Sequence, residues 1–122
     1  MTKHDFARLI DHLVDSWSRR DYSAAASMFA ENVHYTDPLR YTFRNRAELL
    51  KFFEADEGHP QKTTFHNIVF DEEKQFGAAE YTYEGTHRYH GVTLVLLKND
   101  QIVNWREYQH IDPRDWETFI SG

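Results

Sequence analysis

The stretch from 62 to 110, KTTFHNIVFDEEKQFGAAEYTYEGTHRYHGVTLVLLKNDQIVNWREYQH, decides the fold. β-Branched and aromatic residues dominate it, and turn-forming residues interrupt it at strand-length intervals. The pattern predicts strands over 62–70, 75–89, 92–98 and 101–110. Between them lie the turns Asp71-Glu72-Glu73-Lys74, a break near Gly91, and Asn99-Asp100. Strands that follow one another this closely pair as an antiparallel meander.

Upstream the period changes from two to nearly four. Phe6, Leu9, Ile10, Leu13, Val14 and Trp17 recur at helical spacing, with Thr2 and Asp5 placed as a capping box. Asp21 suits the cap of a second helix, Tyr22 to Ala30, whose apolar side is Ala25, Met28 and Phe29 and whose exit is Asn32. Val33 to Asp37 reads as a short strand closed by Pro38. Asn45 and Glu48 form a second capping box before Leu49, Leu50, Phe52 and Phe53, and Gly58-His59-Pro60 ends that helix. Downstream, Asp112-Pro113 opens a last short helix carrying Trp116, Phe119 and Ile120. Helices first and strands after is the α+β pattern: one antiparallel sheet with helices on one face. A long sheet that curls beneath them can leave a blind cavity.

The 122 residues fit a single domain, 1–122. Aromatic residues make up 16% of the chain, enough for a short chain to build a core and line a pocket with rings. Net charge is -6 and the tightest basic pair is Arg19-Arg20, so no phosphate-binding footprint exists and no nucleic-acid partner is expected. No apolar run is long enough to span a bilayer, and Met-Thr-Lys-His-Asp does not lead into a signal sequence. Cysteine is absent, which removes disulfides and thiolate metal sites. These features favour the cytoplasm. Of the eight histidines, His87 and His90 stand three apart, on opposite faces of a strand, so no metal is expected. With no Gly-rich phosphate loop either, no cofactor is expected.

Several motifs carry a family resemblance. Arg20-Asp21, Met28-Phe29-Ala30, Val33-x-Tyr35-x-Asp37-Pro38 and Asn45-Arg46-Ala47-Glu48 resemble the nuclear transport factor 2-like superfamily, and SnoaL-like proteins within it. Gly85-Thr86-His87 through Gly91 looks like that family's Gly-Thr-His strand ending, and Ile102 to Tyr108 like its last strand. The resemblance implies a cone-shaped, curved sheet packed against the N-terminal helices. It also implies a small apolar or aromatic ligand and a homodimer formed through the outer sheet face. The scaffold hosts isomerases, cyclases, dehydratases, epoxide hydrolases and non-catalytic binders, so it does not choose among them.

Four residues are candidates for chemistry. Tyr35 and Asp37 share a strand face, and Asp37 resembles the general base of ketosteroid isomerases; from the residues alone, Asp37 before Pro38 reads first as a turn residue. Trp105, Glu107 and Gln109 share one face of the last strand, and Asn104, Arg106, Tyr108 and His110 the other. The resemblance to epoxide hydrolases turns Trp105 and Glu107 inward; a solvent-facing, ion-paired Glu is the alternative. His87 resembles the pocket histidine of the SnoaL-like strand ending, with Tyr83 on its face and His66 on the neighbouring strand; a surface role is the alternative. Trp105, Tyr83, Trp17, Leu13, Phe53 and Gln109 are the expected substrate contacts, Trp17, Phe53 and Trp105 serving equally well as plain core.

The departures from known enzymes matter as much. The tyrosine and acid of the ketosteroid isomerase oxyanion hole fall on Leu13 and near Val92, and no strand carries the Arg-x-Asp pair of the epoxide hydrolases. Two readings follow. One is a cofactor-independent isomerase, cyclase or dehydratase working by carboxylate and histidine acid–base chemistry on an apolar carbonyl compound. The other is a non-catalytic ligand-binding or dimerisation domain.

Overall fold

The computed structural model describes residues 1–56 and 58–122. α1 (Lys3–Ser18) starts on the expected capping box: Thr2 accepts from the Asp5 N–H and the Asp5 side chain accepts from the Thr2 N–H. Its C-cap is Arg19, and the next residue, Arg20, has a φ of 56°, a non-glycine residue in the left-handed region. α2 (Tyr22–Ser27) is capped by Asp21 and is shorter than the sequence pattern predicts. Phe29 and Ala30 belong instead to β1 (Phe29–Asp37), and Asn32 lies within that strand rather than at a helix exit. Pairing overrides local propensity here: Phe29 partners Ile102, and the Ile102 N–H donates to the Met28 carbonyl at 3.0 Å.

β2 (Tyr41–Phe43) has no counterpart in the sequence reading, because a three-residue strand carries no period. α3 (Arg46–Glu54) is capped by Asn45 and stops at Ala55, before Gly58-His59-Pro60. Then come β3 (Lys62–Asp71), β4 (Phe76–Glu84), β5 (Arg88–Lys98) and β6 (Gln101–Ile111). The β4–β5 turn is Gly85-Thr86-His87, with the Gly85 N–H bonded to the His87 carbonyl. β5 runs straight through Gly91, where a break was expected. A Cβ at Gly91 would lie 2.6 Å from the Tyr108 carbonyl oxygen; this glycine lets two strands approach rather than turn. Asn99 and Asp100, with φ of 52° and 61°, make the tight β5–β6 turn. α4 (Trp116–Ser121) is capped by Asp115, not opened by Asp112-Pro113, because Asp112 is engaged by the Arg114 guanidinium.

The six strands form one curved sheet in the order β2-β1-β6-β5-β4-β3. The meander β3 to β6 is antiparallel as expected, but β1 and β6 run parallel, so the sheet is mixed. Phe6, Ile10 and Leu13 of α1, Ala25 of α2 and Leu49 and Phe53 of α3 pack on the inner face, against Val33, Ala79, Val95, Ile102 and Trp105. Helices packed on one face of a bent sheet make the α+β class; among the described residues no helix is long and apolar enough to cross a membrane. α4 lies on the opposite, outer face, where Trp116 stacks on His66 and Phe119 on His90.

Candidate active site

The parallel β1–β6 pairing positions the site. Tyr35 lies beside Trp105, ring on ring at 5.6 Å, and the alternation of both strands then sends Asp37, Glu107 and Gln109 to the same inner face. Glu107 is 8% exposed and Asp37 3%. Both carboxylates are therefore inside the molecule, and the solvent-facing alternative for Glu107 does not hold.

Glu107 is the hub of a polar cluster in an aromatic shell. Its Oε1 accepts from the Tyr35 hydroxyl and, at 2.9 Å, from the Trp105 indole N–H. Its Oε2 accepts from the Tyr41 hydroxyl at 2.8 Å. Phe29 and Phe53 close on Tyr35 and Trp105. Burial pushes the Glu107 carboxyl above its ordinary range; the three donors oppose that shift and the charge of Asp37 adds to it. Tyr35 and Tyr41 are held well above the ordinary phenol range, first by burial and then by the charge of Glu107, so both act as hydroxyl donors.

Asp37 forms a second polar group beside the first. Its Oδ2 accepts from Gln109 Nε2 at 3.1 Å and its Oδ1 from the Leu39 N–H at 3.0 Å. The turn role and the inward placement thus coexist at one residue. The Tyr81 hydroxyl donates to Gln109 Oε1 at 2.7 Å. Arg40 sets its Nε 3.8 Å from Asp37 Oδ2 and its guanidinium over the Tyr89 ring.

Of the expected substrate contacts, Leu13, Phe53 and Trp105 are core residues, and Trp17 packs edge-on against Phe53 and Trp105 at 5.8 and 6.1 Å. Gln109 joins the Asp37 group. Tyr83 is half-buried further along, its hydroxyl on Gln61. His87 is not with them. The register pairs Glu84 with Arg88, leaving Gly85 to His87 as an exposed hairpin tip, so His87 cannot share proton transfer with the buried carboxylates. His66 points outward, to Thr82 and Trp116. The rings of Phe29, Tyr35, Tyr41, Phe53 and Trp105 surround Glu107. The two surface hollows described, about 810 and 570 Å³, lie along α1 and along β3–β4 and touch none of these residues.

Sequence reasoning missed Tyr41, Arg40 and Tyr81. Strand alternation from Tyr83 would have found Tyr81. Nothing local marks Tyr41, which depends on the unpredicted β2. Among the described residues no cluster of three or more His, Asp or Glu is arranged to hold a metal.

A family model for the SnoaL-like domain matches residues 10–105. The chain belongs to the SnoaL-like family. No curated protein matches it by sequence. Among solved structures, it resembles a cystatin-like protein of unknown function from Methylobium petroleophilum PM1, with TM-score 0.81 and 18% identity over 95% of this chain and 82% of that one. It also resembles an LEH-like epoxide hydrolase from M. tuberculosis (TM-score 0.73, 13% identity, 84% and 80% covered). A third is SalBIII, an epoxide hydrolase/cyclase-like enzyme with a role in pyran ring formation in the polyether salinomycin (0.76, 14%, 88% and 92%). At these identities the likeness concerns the fold. This SnoaL-like chain carries its tyrosine–carboxylate cluster on the inner face of the curved sheet, beneath the N-terminal helices.

Proposed function

We propose that this SnoaL-like protein binds a small, neutral, largely apolar carbonyl compound and moves a proton on it without a cofactor, as an isomerase, cyclase or dehydratase. The observation that carries the reading is Glu107, a carboxylate with raised proton affinity, buried among rings, held by three donors and set beside a second carboxylate. In this reaction Glu107 takes a proton from the carbon next to the carbonyl and returns it to a different atom of the substrate. Tyr35 and Tyr41 hold the carboxylate through both states. Asp37, fixed by Gln109 and the Leu39 N–H, supplies the neighbouring negative charge that favours the protonated form of Glu107.

Deuterium wash-in tests this before the natural substrate is identified. Small cyclic ketones and enones in D2O gain deuterium at the α-carbon when the protein is present. Glu107→Gln lowers that catalysed rate by about 100-fold or more, the usual share of a positioned general base. Equal wash-in with Glu107→Gln and wild type sinks the enzymatic reading.

A second reading, a ligand binder without turnover, has one observation in its favour: both Glu107 oxygens are already engaged by side chains of the protein. Under it, ketones bind but no deuterium enters. For assembly, we propose a homodimer through the outer sheet face. Its support is the run of partly exposed apolar side chains at Val69, Leu96 and Tyr108, away from the part that α4 covers. Light scattering reads the mass directly. The cytoplasm is the compartment we propose, on the cysteine-free composition.

A further inference from the structure

Two buried polar atoms among the described residues have no hydrogen-bond partner: Trp17 Nε1 and Thr93 Oγ1. Neither is scattered at random. Thr93, fully buried on β5, stands directly opposite Glu107 in the β5–β6 register. Trp17 packs edge-on against Trp105, whose own indole N–H bonds Glu107. Each orphan is thus one side chain away from the same carboxylate. Buried polar groups are nearly always paired, because leaving one unpaired forfeits its hydration with nothing in return. Two exceptions flanking a buried carboxylate call for a common cause.

The chemistry of the two atoms narrows what would pair with them. An indole N–H only donates, and a threonine hydroxyl can donate as well. An oxygen with two lone pairs accepts from both. Glu107 and Asp37 make the surroundings negative, which disfavours an anionic oxygen and leaves a neutral carbonyl as the best partner. The Trp17 ring is partly exposed while its Nε1 is buried, so this side chain reaches from the surface to the interior cluster. We infer that Trp17 Nε1–H and Thr93 Oγ–H are the polar anchors of the ligand site, and that they receive the carbonyl oxygen of a neutral ketone, enone or lactone beside Glu107. The inference rests on the ligand-binding reading above and names its substrate class. It also supplies the donors that Leu13 and Val92 do not: as a proton leaves the α-carbon, the charge that develops on the oxygen faces two preformed donors.

Acetophenone and ethylbenzene, which differ by the one oxygen, serve as probes, with affinity read by NMR titration and stability by thermal melts. Wild type prefers acetophenone by about tenfold, the worth of a well-made hydrogen bond. Thr93→Val and Trp17→Phe each cut that preference to about threefold or less. Thr93→Val also melts no lower than wild type, because an orphan hydroxyl has been replaced by a methyl of the same shape. If Thr93→Val melts well below wild type, the hydroxyl already had a structural partner and the inference fails. It fails as well if both probes bind wild type equally, or if neither variant alters the preference, and in those cases the ligand site itself still stands. If neither probe binds wild type, the ligand-binding reading falls, and this inference with it.

Discussion

Replacing Glu107 by Gln gives a result that runs against the usual rule that losing a buried, triply bonded side chain destabilises. Glutamine has the same shape. Its carbonyl oxygen can stand at Oε1 and accept from Tyr35 and Trp105, while its NH2 faces the Tyr41 hydroxyl, which reverses and accepts. All three contacts survive without a buried charge. Burial raises the Glu107 carboxyl in the folded state above the 4.5 of the free side chain. Between 4.5 and the folded value the native state holds the proton and the unfolded chain does not. Stability from this group is therefore fully present below about pH 4.5 and is lost as pH rises through the folded value, by about 1.4 kcal/mol for each unit of elevation. Glu107→Gln does not pay that loss. Urea unfolding at half-unit steps from pH 4.5 to 8.5 should show the variant gaining on wild type as pH rises, and at least matching it at pH 8. Both proteins share the same eight histidines, so the difference between the curves isolates position 107. Glu107→Ala is the contrast: it strands three buried donors and should cost at least about 3 kcal/mol at every pH. Parallel curves for wild type and Glu107→Gln would show that the three donors fully offset burial, and would refute the account of a proton-retaining carboxylate.

Two further outcomes are expected. Gly91→Ala brings a Cβ to 2.6 Å from the Tyr108 carbonyl oxygen, and backbone in a central strand pair cannot retreat, so it should cost about 2–3 kcal/mol in chemical denaturation; at Gly77 the buried Phe6 ring at 2.6 Å and the Val69 carbonyl oxygen at 2.9 Å crowd a Cβ as well, so Gly77→Ala should cost a similar amount. A Gly91→Ala variant as stable as wild type would contradict the close-approach reading of Gly91. Burial holds the His66 imidazole below the ordinary 6.5, so the folded state favours the neutral ring; that stability is present above about pH 6.5 and is lost as pH falls through the lower folded value. Because Trp116 stacks on His66 at 3.8 Å, its fluorescence should change over that window, and the change should vanish in His66→Gln.

The legible parts of this protein were those that a period or a cap announces. The Thr2–Asp5 box, the α1 stripe ending at Trp17 and the meander all follow from local pattern, whereas the inward face of β6 came only from the family resemblance, because each face of that strand carries one aromatic residue. What pattern could not supply was pairing. The strand that takes over at Phe29 exists because Ile102 and its neighbours bind it, and β2 exists because Tyr41 to Phe43 can fold back on Tyr35 to Asp37. The error at His87 has the same origin. Gly91 was read as a break because it is a glycine, whereas the register places the turn four to six residues earlier, at Gly85 to His87, and carries the histidine out to it. For the site, alternation grouped Tyr35 with Asp37 and Trp105 with Glu107 and Gln109, and the family resemblance turned those faces inward; Tyr41 depends on a strand without a local signal.

The cluster around Glu107 also bears on how the sheet is held together. Tyr35 comes from β1, Tyr41 from β2 and Glu107 with Trp105 from β6, so one carboxylate ties three strands across the only parallel junction in the described sheet. A purely structural junction would be served as well by apolar side chains, which replace buried ionic groups at little or no cost. The charge therefore ought to be visible as coupling. Tyr35→Phe removes a hydroxyl bonded to a carboxylate in wild type but to a neutral amide in Glu107→Gln, and hydrogen bonds to ionised acceptors are about twice as strong. At pH 8 Tyr35→Phe should thus cost about 1 kcal/mol more in the wild-type background than in Glu107→Gln, and the gap should shrink as pH falls and Glu107 takes up its proton. An absent gap would mean that the tyrosine and tryptophan donors hold a neutral acid throughout, which already carries its proton and cannot serve as a base; a gap that ignores pH would mean that Glu107 stays ionised throughout and that burial does not raise its proton affinity.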